Sequence, residues 1–207
     1  MKVVLVNGSP NKKGNTNLAL EEISKVLEKN GIETEIFWIG NKPISGCIGC
    51  GKCIGKGKCI FDDVVNEFID KYMDADGFIF GAPVHYASIN GAMACFMDRL
   101  FYGKGSLFKG KVGASIAVCR RAGGVEAFDR LNKYLTYSSM VVISSNYWNG
   151  VFGNGDMNDA SKDLEGMQTM RILGENMSWI LKCIEVGKKE GIEFPKMEKK
   201  IFTNYIR

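Results

Sequence analysis

Four of the chain's seven cysteines fall within thirteen residues, at Cys47, Cys50, Cys53 and Cys59. Their spacing is C-x2-C-x2-C-x5-C, with Gly46, Gly49, Gly51, Gly55 and Gly57 interleaved among them. Glycines at that density interrupt any helix or strand and admit backbone angles that other residues avoid. The stretch therefore reads as a chelating loop whose donors are thiols. Four readings of it stand open: an iron–sulfur cluster, a tetrathiolate zinc ion, disulfide pairs, and unoccupied redox-labile thiols.

The first three cysteines are spaced as in the C-x2-C-x2-C run of bacterial ferredoxins, where the fourth cysteine serves a second cluster. No second set of four exists here, so Cys59 would close the same cluster. Zinc sites more often use two separated C-x2-C pairs.

At 207 residues, 45% of them hydrophobic, the chain is long enough for one domain with a sizeable core. A net charge of +4 is too small to argue for a nucleic-acid partner. No apolar run reaches the ~20 residues of a membrane span. Met1 leads straight into an apolar segment, so no signal peptide is expected. The chain reads as cytoplasmic, where thiols stay reduced or bind metal.

Residues 2–7 contain a β-branched apolar run suited to a strand buried on both faces. A small polar loop follows, then a helix with Ala19, Ile23, Val26 and Leu27 on one side, ended by Gly31. This is the first turn of a doubly wound sheet, with a loop at a helix N-terminus where an anion is favoured. Ser9, Asn11, Asn15 and Thr16 can donate to a phosphate, and Gly14 lets the backbone approach it. The loop is neither G-x-G-x-x-G nor a Walker loop, which favours a monophosphate over a dinucleotide or triphosphate.

Further strands are expected at residues 34–39, 76–81, 111–119 and 140–144. Asp62 and Asp63 read as caps of a helix carrying Val64, Val65, Phe68, Ile69, Tyr72 and Met73. Residues 82–88 form a loop at the carboxyl end of the third strand, where doubly wound sheets bind ligands. It holds His85, the chain's one histidine, and Tyr86, a face on which a ring could stack. The next helix carries Met93, Phe96, Met97, Leu100 and Phe101, a core or subunit-interface stripe, with Asp98 and Arg99 read as a structural ion pair. Cys95, Cys119 and Cys183 read as buried small hydrophobes. Arg120, Arg121, Gly123 and Gly124 follow the fourth strand and suit a polar ligand edge. An aromatic loop at residues 146–153 stands beside the same edge, and a long amphipathic helix and a basic tail close the chain.

Five βα units with a Ser/Thr/Asn phosphate loop resemble the flavodoxin-like fold, a doubly wound five-stranded parallel sheet in order 2-1-3-4-5. Residues 8–16 resemble the FMN phosphate loop of the NAD(P)H-dependent FMN reductase superfamily. Residues 83–88 and the helix from Gly91 through Asp98 and Arg99 resemble its second flavin-contacting loop and the helix after it. The loop of Cys47, Cys50, Cys53 and Cys59 is similar to that of the iron–sulfur flavoproteins, a branch of this superfamily. The resemblance covers residues 1–186 and leaves 187–207 as a tail, with the Cys-rich insert at 45–61. It implies FMN, a 4Fe–4S cluster, a homo-oligomer (dimer or tetramer) and electron transfer.

On that implication FMN contacts Ser9, Asn11, Gly14, Asn15 and Thr16 with its phosphate. Its ring meets Pro83, Val84, His85, Tyr86 and Ser88, and Arg120, Gly123 and Gly124 approach its pyrimidine edge. A ferredoxin-like donor, steered by Lys52, Lys56 and Lys58, would reduce the cluster and through it FMN. The alternatives are a cluster-free NAD(P)H-dependent reductase of flavins, quinones or nitro compounds, and a non-enzymatic protein with a zinc-stabilised binding loop.

Overall fold

The β-branched run at Lys2–Asn7 forms β1, buried from Val3 onward. In chain order follow α1 (Asn15–Lys29), β2 (Glu33–Trp38), a distorted single turn α2 (Cys53–Lys56) and α3 (Val64–Tyr72). Then come β3 (Gly77–His85), β4 (Ser88–Ile89), α4 (Gly91–Lys104), β5 (Val112–Cys119) and α5 (Gly124–Tyr137). Two short strands, β6 (Val141–Val142) and β7 (Gly150–Phe152), precede the final helix α6 (Leu164–Lys189). This computed structural model describes residues 1–203, so residues 204–207 of the basic tail lie outside the described residues.

The sheet runs β2-β1-β3-β5-β6, with every neighbour parallel. That is the expected 2-1-3-4-5 order once the small antiparallel strand β4 is set aside. Alternation along the strands divides the core. Val4, Val6, Phe78 and Phe80 face one layer, packed by α3, α4 and α5. Val3, Leu5 and Ile79 face the other, packed by α1 and α6. Among the described residues no helix is long and apolar enough to cross a membrane.

Several expectations need correction. The fifth strand, expected over residues 140–144, is split into β6 and β7, which pair with opposite ends of β5. Between them the Asn149 carboxamide donates to the Ser115 carbonyl at 3.0 Å, replacing the missing ladder bond. The aromatic loop thus contains a strand, β7. The third strand continues through residues 82–85, expected as loop, because Ala82 and Pro83 stay in register with β5 and Val84 and His85 pair with β4. Met93, Phe96, Met97 and Leu100 are fully buried within the chain, so the methionine stripe is core and offers no subunit interface.

Asp98 and Arg99 do not pair with each other. Adjacent residues on a helix point 100° apart, and here Arg99 reaches Asp63 while the Asp98 carboxylate accepts from the Tyr134 hydroxyl. Asp63 caps α3 as expected, accepting from the Val65 N–H at 3.1 Å. Of the three remaining cysteines only Cys119 is buried. Cys95 is half-buried, and Cys183 lies exposed on the outer side of α6.

Candidate functional site

The carboxyl ends of β1, β3 and β5 converge at the point where the chain's winding reverses, between β1 and β3. The Gly8 N–H there donates to the Gly81 carbonyl at 2.8 Å, which ties the first loop to β3. Buried Asn7 shapes that loop. Its Oδ1 accepts from the Ser9 N–H at 3.0 Å, and its Nδ2 donates to the Lys12 carbonyl at 3.2 Å. The Ser9 Oγ accepts from the Asn11 N–H at 3.1 Å, and the Ser9 carbonyl accepts from Trp38 Nε1 at 2.7 Å.

The loop delivers Gly14 to the N-cap of α1 without a side-chain cap, and the first turn carries no acidic residue. An N-terminus left in that state presents N–H groups and a positive dipole end to an anion. Ser9 and Thr16 are buried in the wall of the cradle, Asn11 is exposed at its lip, and Asn15 lies half-buried between. The Asn15 side chain is already engaged: its Nδ2 donates to the Asp156 carbonyl at 3.0 Å, and its Oδ1 accepts from the Ala160 N–H at 2.9 Å. That leaves Asn15 its backbone N–H and the second N–H of its amide for an anion.

Asn90, at the N-cap of α4, closes the cradle from the other side. Its Nδ2 donates to the Gly8 carbonyl at 2.9 Å. Its Oδ1 is buried and has no partner among the described residues. An unpaired buried acceptor costs about 1–3 kcal/mol, and one beside a phosphate-type loop fits a site built to meet a polar ligand.

The second wall is the β3–β4 hairpin. Tyr86 and Ala87 fill its two-residue turn at φ of 48° and 60°. Both φ values are positive, as in the type I′ turn that matches strand twist. Non-glycine residues there each cost about 1–3 kcal/mol and concentrate at ligand clamps. The turn leaves His85 and Tyr86 exposed, with Pro83, Val84 and Ser88 half-buried behind them. The third wall is the loop after β5. Gly123, at φ 84°, lies so close to the hairpin that a Cβ would stand 2.6 Å from the Ala87 Cα. Arg120 and Arg121, on the same loop, are exposed.

The structure therefore brings Ser9, Asn11, Gly14, Asn15 and Thr16 to the same sheet end as residues 83–88 and Arg120, Gly123 and Gly124. The aromatic loop touches them at its end, where Gly153 packs against the Asn15 side chain. Tyr147 and Trp148 line a separate apolar cavity of about 210 Å³ at the sheet edge, with Val125 and Phe128, and Gly124 alone of the expected flavin contacts borders it.

The cysteine loop leaves the carboxyl end of β2 and folds against α4. Cys47, Cys50, Cys53 and Cys59 all line one small hollow, with Arg99 and Tyr102 of α4 also in its wall. Gly49, Gly51, Gly55 and Gly57 each take positive φ, which lets the chain double back between thiols. Among the described residues no three His, Cys, Asp or Glu side chains already stand together as a metal site. The loop gathers its thiols around one hollow without closing them on a centre. The donor set suits a cluster or a zinc ion, since both take four thiolates.

Two residues hold Cys59: Asn66, which sequence reasoning passed over, and Arg99, which it read as the partner of Asp98. Asn66, buried in α3, accepts from the Cys59 N–H at 2.9 Å and donates to the carbonyls of Cys59 at 3.0 Å and Phe61 at 3.2 Å. Arg99 donates from Nε to the Cys59 sulfur at 3.2 Å. Burial works against the Arg99 charge, but the Asp63 hydrogen bonds and the Cys59 sulfur outweigh it and hold the guanidinium above its ordinary value. A buried asparagine in a helix was the one available signal for Asn66. Replacing Asn66 with alanine strands one N–H and two carbonyls and is expected to cost about 1–3 kcal/mol. A urea midpoint reads the cost, and faster labelling of Cys59 by a thiol reagent reads the loosened loop. Unchanged labelling would show that Asn66 does not hold Cys59.

Fold and loops together define a flavodoxin-like protein with an uncapped helix N-terminus at its switch point. The family model for NADPH-dependent FMN reductase matches residues 1–155. The chain is 33% identical over 192 residues to the iron–sulfur flavoprotein MJ1083 of Methanocaldococcus jannaschii, covering 89% of this chain and 100% of that one. It is 29% identical to an iron–sulfur flavoprotein of Methanosarcina thermophila, covering 91% and 99%. RosB, in its complex with 8-demethyl-8-formylriboflavin-5'-phosphate, superposes with a TM-score of 0.69 at 15% identity, over 100% of this chain and 94% of that one. A flavodoxin from the Archaea superposes at 0.60 with 18% identity, over 88% and 99%. At such identities the structural likeness is one of fold. The chain belongs to the NADPH-dependent FMN reductase family, where it groups with proteins named iron–sulfur flavoproteins. It is an FMN-dependent oxidoreductase.

Proposed function

We propose that this oxidoreductase is an electron-transfer protein that carries a 4Fe–4S cluster on Cys47, Cys50, Cys53 and Cys59 and takes electrons from a ferredoxin-like donor. The observation that carries the reading is the convergence of those four thiols on one hollow, beside the helix that descends from the flavin hairpin. Bound there, the cluster would supply one-electron transfer, and FMN the exchange between one- and two-electron chemistry.

The chain's own residues bind and orient. The uncapped start of α1, with Ser9, Asn11, Gly14 and Thr16, takes the FMN phosphate, and Asn15 contributes its N–H. Pro83, Val84, His85, Tyr86 and Ser88 take one side of the ring, and Arg120, Gly123 and Gly124 take its polar edge. Residues 1–186 make up this unit, with 187–207 as its tail.

Donor steering falls to exposed Lys52 and Lys56. Lys58 is paired with Asp70 at 2.7 Å, which cancels much of its reach. Exposed Tyr147, Trp148 and Phe152 support a homo-oligomer. The reading takes the protein as cytoplasmic, the compartment in which thiols stay reduced or bind metal.

Anaerobic purification followed by iron, sulfide, zinc and flavin analysis tests the reading. The expected result is flavin with about four irons and four sulfides per chain. Flavin without iron, combined with fast NAD(P)H oxidation, would identify a cluster-free reductase. One zinc and no flavin would identify a binding protein.

A further inference from the structure

Arg99 is the most heavily committed side chain outside the flavin cradle. Its side chain is fully buried, yet it carries a charge. A guanidinium has five N–H donors, and five acceptors surround this one. Nε donates to the Cys59 sulfur at 3.2 Å. One terminal nitrogen donates to the Ser45 carbonyl at 3.3 Å and to Asp63 Oδ2 at 2.6 Å. The other donates to the Phe61 carbonyl at 3.0 Å and to Asp63 Oδ1 at 2.8 Å. The Phe61 ring stands 5.1 Å away, in cation–π range.

Ser45 lies just before the first cysteine, and Phe61 just after the last. One planar fork on α4 thus holds both stems of the cysteine loop. Among the described residues Cys59 is also the one loop cysteine whose sulfur takes a side-chain hydrogen bond.

We propose, on the cluster reading given above, that Arg99 is a positioning residue: it clasps the loop at both stems and, through its Nε–H on the Cys59 sulfur, raises the reduction potential of the cluster held there. Reduction adds a negative charge to the cluster. A donor and a fixed positive charge at a ligand sulfur stabilise that added charge more than the oxidised state, and they act through a low dielectric. Asp63 offsets part of the charge but leaves the Nε–H aimed at sulfur. Lysine cannot replace this function, because a point ammonium has no rigid fork with which to reach both stems and the sulfur together.

The test compares the wild-type holoprotein with the reconstituted Arg99→Met, Arg99→Lys and Asp63→Asn proteins. The cluster is titrated by electron paramagnetic resonance at poised potentials, and FMN is titrated in the same samples. Arg99→Met is expected to lower the reduced-to-oxidised ratio at a fixed potential at least ~10-fold, about 59 mV for a one-electron couple. Arg99→Lys should move it in the same direction by less. Asp63→Asn, which keeps the guanidinium and removes the opposing carboxylate, should move it upward. The FMN potentials should stay put.

An arginine with a purely structural role would lower cluster loading and stability while every loaded cluster titrated as in the wild type, and that result overturns the proposal. If neither Arg99 variant loads, Asp63→Asn decides: an unchanged or lowered potential overturns it. Wild-type protein without iron overturns the cluster reading itself, and that outcome is seen before any variant is made.

Discussion

Replacing Gly8 with valine is expected to weaken FMN binding at least ~100-fold, about 2.8 kcal/mol at 1.4 kcal/mol per factor of ten. A Cβ at Gly8 would stand 2.9 Å from the Gly81 carbonyl and 2.7 Å from the Met93 Sδ. The methionine tip can turn aside. The carbonyl cannot, because it belongs to β3 and accepts the Gly8 N–H. The loop must therefore shift outward, away from the Asn90 amide that holds its carbonyl. The start of α1 and the hairpin would then no longer address one ligand. Fluorescence titration of the apoprotein with FMN reads the affinity, and far-ultraviolet circular dichroism checks that the sheet persists. An unchanged affinity in a folded variant would place the phosphate elsewhere.

Replacing Phe68 with alanine is expected to cost about 3–5 kcal/mol of stability. Phe68 is fully buried and contacts four rings. Its centroid lies 5.2 Å from those of Phe37 and Tyr72, 5.4 Å from Phe96 and 6.0 Å from Phe78. These rings come from β2, α3, β3 and α4, so the vacated space opens where four elements meet and none can collapse alone. Against a typical total of about 5–15 kcal/mol the loss is large. Urea unfolding at a fixed excess of FMN isolates it, because ligand binding adds its own stabilisation. A midpoint shift worth less than ~1 kcal/mol would mean that the aromatic cluster repacks.

Much of this was legible in the sequence for reasons of pattern. The β-branched run at residues 3–6, the stripe of α1 and the stripe of α3 each carry their own period, so those elements and their buried faces could be read locally. The strand, small polar loop and helix of residues 2–29 were legible because that order of patterns is local. The cysteines were legible from spacing alone.

The misreadings share a cause, which is a side chain that takes its partner from far along the chain. The split of the fifth strand depends on Asn149 reaching Ser115. The continuation of β3 through Pro83 depends on β5 standing beside it. The further bonds of the Asn15 side chain, to Asp156 and Ala160, likewise come from far along the chain.

The sequence by itself determined the alternation of strands and helices, the spacing of the four loop thiols and the polar loop at the start of α1, because periodicity, cysteine spacing and turn composition are local properties. Only the tertiary structure decided that the methionine stripe is core, that Asn66 and Arg99 hold Cys59, and that Asn90 turns an unpaired oxygen beside Gly8. Those facts arise from contacts 7 to 82 residues apart along the chain, and a distance of that kind exists only once the sheet has brought its helices together.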